Sequence, residues 1–195
     1  MRYPAKQKDE THKRIVQAAA KSFREHGSEG QGIAALMKDL GLTHGGFYKH
    51  FGSKEDLFLA AVERSLEESG DRLIAAAKAA PDGQELRGII EYYLGIEHLE
   101  HVGHGCVIAA LFPEIARLPI SVRAKINALM AVYMKRLLPF VPGDGVAEKQ
   151  RKFRILFPSM AGVLMVARAM ADPSVQKDIL AAAKKFYVDA FVSKS

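Results

Sequence analysis

Between positions 43 and 54 the chain reads Thr-His-Gly-Gly-Phe-Tyr-Lys-His-Phe-Gly-Ser-Lys. On a helical turn Phe47 and Phe51, at i and i+4, share one face, and His44, Gly45, Tyr48 and Lys49 take the other. Imidazole, phenol and ammonium groups facing outward donate hydrogen bonds to phosphates and base edges. Gly45-Gly46 leave the backbone free to approach a duplex closely. Lys54 sits where the next helix begins. A cation there opposes the helix dipole, so the position suits an external anion such as a phosphate. An ordinary helical hairpin with a polar outer face has the same pattern, so the spacing marks a surface before it marks a partner.

Two other groupings have the right residue types for chemistry. Cys106 follows Gly105 at a predicted helix N-terminus, where the positive dipole end lowers a thiol pKa, with His101 and His104 close in sequence. A buried, inert cysteine is the competing reading. His98, His101 and His104 recur every three residues beside Glu97 and Glu100, a metal-like spacing, but they drift across Gly103 and an exposed polar face explains them equally. No metal or other cofactor is therefore expected. The chain has no glycine-rich phosphate loop, Gly-x-Ser-x-Gly elbow or His-Glu-x-x-His motif, and its carboxylates are scattered, so no enzyme is expected.

The elements that must position these residues are helical. Ile15, Ala19 and Phe23 fall at i, i+4, i+8 before Gly27; Ile33, Leu36, Met37 and Leu40 fall at i, i+3, i+4, i+7 before Gly41. Thr43 caps a very short helix predicted over 44–51, with Leu36 and Leu42 backing Phe47 and Phe51. Ser53 caps a long helix that runs towards Pro81, with an acid at the third position. Further helices are predicted over 82–102, 105–118, 121–140, 145–171 and 174–192, with a break at Pro113 and a kink or unwinding at Pro158. Only about the first eight residues read as a loose arm. No sustained apolar–polar alternation predicts strands. The fold expected is all-α, divided into an N-terminal unit over 1–53 and a larger helical body over 54–195.

Charge is distributed unevenly. Of 28 Lys and Arg and 22 Asp and Glu in 195 residues, the first 54 residues hold an excess of bases, while the rest is nearly balanced. A basic segment joined to a neutral body suits an anionic partner at one end, nucleic acid first. With 49% hydrophobic and 26% charged residues the composition is that of a folded globular chain, and no apolar run reaches the length of a membrane span. The single cysteine and the absence of an apolar leader predict a reducing cytoplasm.

The run GLTHGGFYKHFGSKEDLFLAA, preceded by KRIVQAAAKSFREHG, resembles the DNA-binding domain of the TetR family of transcriptional regulators over roughly residues 9 to 62. The resemblance implies an all-α homodimer: an N-terminal three-helix helix-turn-helix domain plus a C-terminal helical ligand-binding and dimerisation domain. It implies a double-stranded DNA operator as partner. Thr43, Tyr48 and Lys54 match phosphate-contacting places, and His44, Gly45, Gly46, Lys49 and His50 lie on the recognition helix. Gly32 and Met37 depart from the pattern, standing where a Ser or Thr cap and an Ala are usual.

In the body, Tyr92, Tyr93, Ile96, Leu111, Phe112, Met130, Tyr133, Met134, Phe157 and Met160 offer an adaptable apolar lining for a small hydrophobic effector, and Cys106 adds an electrophilic one. Dimerisation is expected through the last two helices, by way of Ala161, Gly162, Val163, Val166, Ala167 and Met170 with Val175, Ile179, Ala182, Ala183, Phe186 and Ala190. A repressor released by such an effector is the function expected. The competing reading is a helical small-molecule or thiol-reactive sensor without operator specificity.

Overall fold

A computed structural model describes residues 5–30 and 32–192, and every regular element among them is helical. α1 (Ala5–His26) buries Ile15, Ala19 and Phe23 along one stripe. It ends where Gly27, at φ +78°, returns its N–H to the Phe23 carbonyl. The expected arm is helical from Ala5 onward, because Ala5–Lys13 contains no Gly or Pro and is mostly good helix formers. Residues 1–4 lie outside the described residues.

α2 (Ile33–Asp39) starts at Gly32, which has no side chain to cap it. It closes in a Schellman turn: Leu42 N–H bonds the Met37 carbonyl and Gly41 N–H the Lys38 carbonyl, with Gly41 at φ +70°. α3 (His44–Phe47) is shorter than the eight residues expected, since Gly45 and Gly46 are poor helix formers. The remainder to Phe51 continues as turns, held by His50 and Phe51 N–H groups on the Phe47 carbonyl.

Ser53 Oγ accepts from Asp56 N–H at 3.1 Å and starts α4 (Lys54–Ala79), whose 26 residues span roughly 39 Å. α4 is the spine of the molecule. It packs against α1 at one end, and against α5 (Glu85–Tyr93) and α8 (Ile120–Leu137) further along.

The single helix expected over 82–102 divides into α5 and α6 (Ile96–Glu100) at Leu94-Gly95, followed by a 3-10 turn at Val102–His104. The carbonyls left free at the ends of α5 and α6 are satisfied from elsewhere. His98 Nδ1 lies 2.6 Å from the Tyr93 carbonyl, and Arg168 donates to the carbonyls of His98 and Leu99 at 2.7 and 3.0 Å. α7 (Val107–Ile115) passes through Pro113 instead of breaking there and ends two residues later. α9 (Val146–Ala169) runs unbroken through Pro158, next to which Ser159 Oγ donates to the Ile155 carbonyl at 2.8 Å. α10 (Pro173–Phe191) lies against α9 and α5. Ala161 and Ala167 on α9 face the core, so of the residues expected at a partner surface, Val166 and, on α10, Val175, Ala182, Phe186 and Ala190 remain exposed.

Candidate nucleic-acid interface and body cavity

Phe47 and Phe51 stack at 5.4 Å over Leu36 and Met37 and are fully or nearly buried, which fixes the opposite side of α3 outward. His44, Gly45, Tyr48 and Lys49 are exposed there, Tyr48 by 62%, with the His44 and Tyr48 rings edge to face at 5.8 Å. Thr43 Oγ1 accepts from Gly46 N–H at 3.2 Å, so it caps α3 and keeps its own O–H free to donate. Gly45 has open space where a side chain would be. Gly46 does not: a Cβ there would meet Thr43 Oγ1 at 3.4 Å and the Met37 methyl at 3.7 Å. Both are ordinary contact distances, so Gly46 lies against α2 while Gly45 faces open space.

His50 turns away from the outer face into a cleft of about 530 Å³ between α1 and α3, lined also by Lys8, Thr11, Thr43 and Lys49. Its pKa is lowered by burial and by the neighbouring His12, Lys8 and Lys49, and its Nδ1 is buried without a partner. Lys8 and Thr11 were not among the expected site residues. Their signal is the backward continuation of the α1 stripe from Ile15, one and two turns towards the N-terminus. Lys54 stands at the first position of α4, and its Nζ donates to the exposed Glu29 carboxylate at 2.7 Å. A phosphate at Lys54 must therefore replace a carboxylate that is itself in water.

Behind this surface a buried polar network joins the first helices to the body. Arg24, on α1, places Nη2 3.1 Å from Glu68 Oε2 on α4, while its Nε donates to the Gly103 carbonyl at 2.8 Å. Gln17 and Arg64 donate to the other Glu68 oxygen at 2.6 and 3.1 Å. Burial alone would raise the Glu68 pKa; the hydrogen bonds from Gln17 and Arg24 and the positive charges of Arg24 and Arg64 outweigh it, and the net shift is downward. Burial lowers the Arg24 pKa too, but a guanidinium starts too high to lose its proton, so the pair is ionic. A second link runs from α7: Glu114 Oε2 accepts from Ser28 N–H at 2.9 Å and Ser28 Oγ at 2.7 Å, just beyond α1.

The body contains a cavity of about 690 Å³ between α7, α8 and α9. Of the expected lining residues, Phe112, Met130, Tyr133, Met134 and Phe157 meet there. Tyr92, Tyr93, Ile96, Cys106, Leu111 and Met160 do not line it. On α7 the cavity side is Ile108, Ala109, Phe112 and Pro113, whereas Leu111 and the N-capping Cys106 turn into the core; none of the α5 residues lines the cavity, and Met160 on α9 is wholly buried in the core. The Cys106 thiol is 2% exposed. Its neighbour Tyr93 is fully enclosed, and burial and the thiol raise the Tyr93 pKa well above its ordinary value. The three histidines diverge. His98 is buried and held neutral, its pKa lowered to about 4 by burial, while His101 and His104 face outward. No cluster of His, Cys, Asp or Glu suited to a metal occurs among the described residues. Nor is any described helix long and apolar enough to cross a membrane.

Residues 15–61 match the family model described as bacterial regulatory proteins, tetR family. The chain is 32% identical over 77 residues to the HTH-type transcriptional repressor AcnR of Corynebacterium glutamicum, covering 40% of this chain and 39% of that protein. It thus spans about two fifths of the length of that curated relative. Among solved structures, a TetR transcriptional regulator from Chloroflexus aurantiacus superposes with a TM-score of 0.75 at 21% identity, over 96% of this chain and 98% of that one. A TetR-family regulator from Cytophaga hutchinsonii gives 0.75 at 18% identity, over 97% and 98%. The N-terminal motif, the helix-turn-helix built on it and the whole-chain fold agree: residues 15–61 match the DNA-binding domain of the TetR family, and the whole chain has the fold of the TetR-family regulators it superposes on.

Proposed function

We propose that the chain is a sequence-specific DNA-binding transcriptional regulator, a repressor released from its operator by a small molecule held in the cavity between α7, α8 and α9. The observation that carries the reading is the face of α3. Phe47 and Phe51 anchor it, Thr43 caps it, and His44, Gly45, Tyr48 and Lys49 stand free on it to read a major groove. His50, Lys8 and Thr11 lie on the flank of that surface, beside where the duplex backbone passes. Residues 1–53 form the reading unit and 54–195 the sensing and dimerising body.

The exposed apolar residues Ile155 and Val166 on α9 and Val175 and Phe186 on α10 support a homodimer through these two helices. Its two copies of α3 would sit about 34 to 36 Å apart, one turn of duplex. α7 is both a cavity wall, through Phe112 and Pro113, and the holder of the α1–α2 junction, through Glu114. A ligand that displaces this wall alters the spacing of the reading helices, provided it favours the released arrangement. Reaction at Cys106 is the weaker trigger, since the thiol is closed off.

Selection from randomised duplexes tests the reading. The expected product is a palindrome with half-sites one helical turn apart, and recovery of no enriched sequence removes the operator-binding function.

A further inference from the structure

The cavity has an apolar interior and one charged lining residue, Arg154, exposed at its edge. Arg154 belongs to none of the ion pairs of the described residues. The helices around it are short of acids. α8 carries no carboxylate, and of its four cations Lys125 and Arg136 are paired with Glu55 and Asp71 on α4, which leaves Arg123 and Lys135 to set its charge. On α7 the only acid, Glu114, is committed to Ser28, and on α9 the only acid, Glu148, is committed to Lys152 and to the Asp144 N–H. Asn127, one helical turn beyond Arg123 on α8, is the other polar group at the edge. The field over the mouth is therefore positive, beside low-dielectric walls that strengthen it.

We infer that the cavity takes an apolar monocarboxylate, its body among Phe112, Met130, Met134 and Phe157 and its carboxylate on the Arg154 guanidinium. This rests on the effector reading and gives its site a ligand class. A planar guanidinium holds a carboxylate by two parallel hydrogen bonds, a geometry that neither an alcohol nor an ammonium reproduces. The volume of about 690 Å³ lies within the range of sites that enclose a small organic molecule. Gly162 lies on the same wall with open space where a Cβ would project, so a larger side chain there enters the cavity without striking neighbouring atoms.

Calorimetric titration of the full-length chain with decanoate, 2-naphthoate, decanol and decyltrimethylammonium tests this, the two carboxylates distinguishing an acyl from an aryl body. At least one carboxylate should bind about tenfold more tightly than decanol, and the ammonium should bind more weakly than decanol. Arg154→Gln should bring the carboxylate down to the affinity of decanol and leave decanol unchanged, with Arg154→Lys in between. Gly162→Leu should abolish binding of carboxylate and alcohol together. The inference is overturned if decanol or the ammonium matches the carboxylates, if neither carboxylate binds, if Arg154→Gln weakens every ligand equally, or if Gly162→Leu binds as before. Operator affinity, measured separately with the carboxylate bound, reports on the effector reading alone: an unchanged value breaks that reading without touching the binding result.

Discussion

The two ends of this molecule are built on opposite terms. At the N-terminal end the long α1 and the short α2 and α3 close over Phe47 and Phe51, which are almost wholly buried, and His44, Tyr48 and Lys49 project outward. In the body α7, α8 and α9 leave a hole of about 690 Å³ between side chains that repack easily, chiefly Phe and Met. Under the proposed function, the contrast separates a surface that would present one geometry to a repetitive polymer from an interior that would adapt to a small guest. What joins them is polar and buried: Arg24 with Glu68 and the Gly103 carbonyl, and Glu114 with Ser28.

Breaking that junction should have the largest effect. Arg24→Met removes the cation from a Glu68 carboxylate that stays buried, at a cost of about 3–5 kcal/mol. In a chain of this length that lowers Tm by roughly 6–20 °C in a thermal melt. A loss under 1 °C would mean that the junction contributes little.

Acid should act next, through His98. Its folded pKa of about 4 lies below the ordinary 6.5, so the unfolded chain binds the extra proton between those values. Stability from this group is complete above pH 6.5 and declines as pH falls to about 4, by about 3 kcal/mol in all. The lowered Glu68 carboxyl adds a loss in a lower window, beneath its ordinary 4.5. Urea unfolding of His98→Asn should show a flatter pH dependence between 6.5 and 4.5 than the unaltered chain; equal slopes would reassign the effect to other groups.

The reading end can be loosened more gently. Gly41→Ala has open space for its methyl but puts an alanine at φ +70°, which costs about 1–2 kcal/mol. Because the turn positions α3 on α2, operator affinity should fall along with stability, whereas ligand binding in the body stays as it was. Loss of both binding activities in a folded variant would mean that the two ends are not separable.

The uneven legibility of the sequence has the same physical origin as this contrast. Thr43 and Ser53 as caps, the Gly27 and Gly41 stops and the Phe47–Phe51 pair are local relations within five residues, so spacing alone reveals them. The division of this stretch into α5, α6 and a 3-10 turn was not visible, because it depends on His98 folding back to the Tyr93 carbonyl at the end of α5 and on Arg168, seventy residues distant, serving the His98 carbonyl at the end of α6. Arg24 and Glu68 are 44 residues apart and leave no periodic trace. In the body, apolar residues occupy several sides of each helix, and which side meets the cavity follows from packing: the Phe112 side of α7 does and the Cys106 side does not. Lys8 went unread because the helical stripe is polar where it leaves Ile15.

The central claim, that α3 reads base sequence while its surroundings hold the backbone, is tested most directly by the ratio of affinities for a selected duplex and a scrambled one, measured by fluorescence anisotropy across a salt series. Lys49→Ala should lower that ratio by about tenfold, the worth of one base-reading contact. Lys54→Ala should weaken both duplexes together, leave the ratio unchanged and reduce the salt slope by about one phosphate, less whatever Glu29 already neutralises. Equal weakening of both duplexes by Lys49→Ala, or a ratio near one in the unaltered chain, would contradict the account.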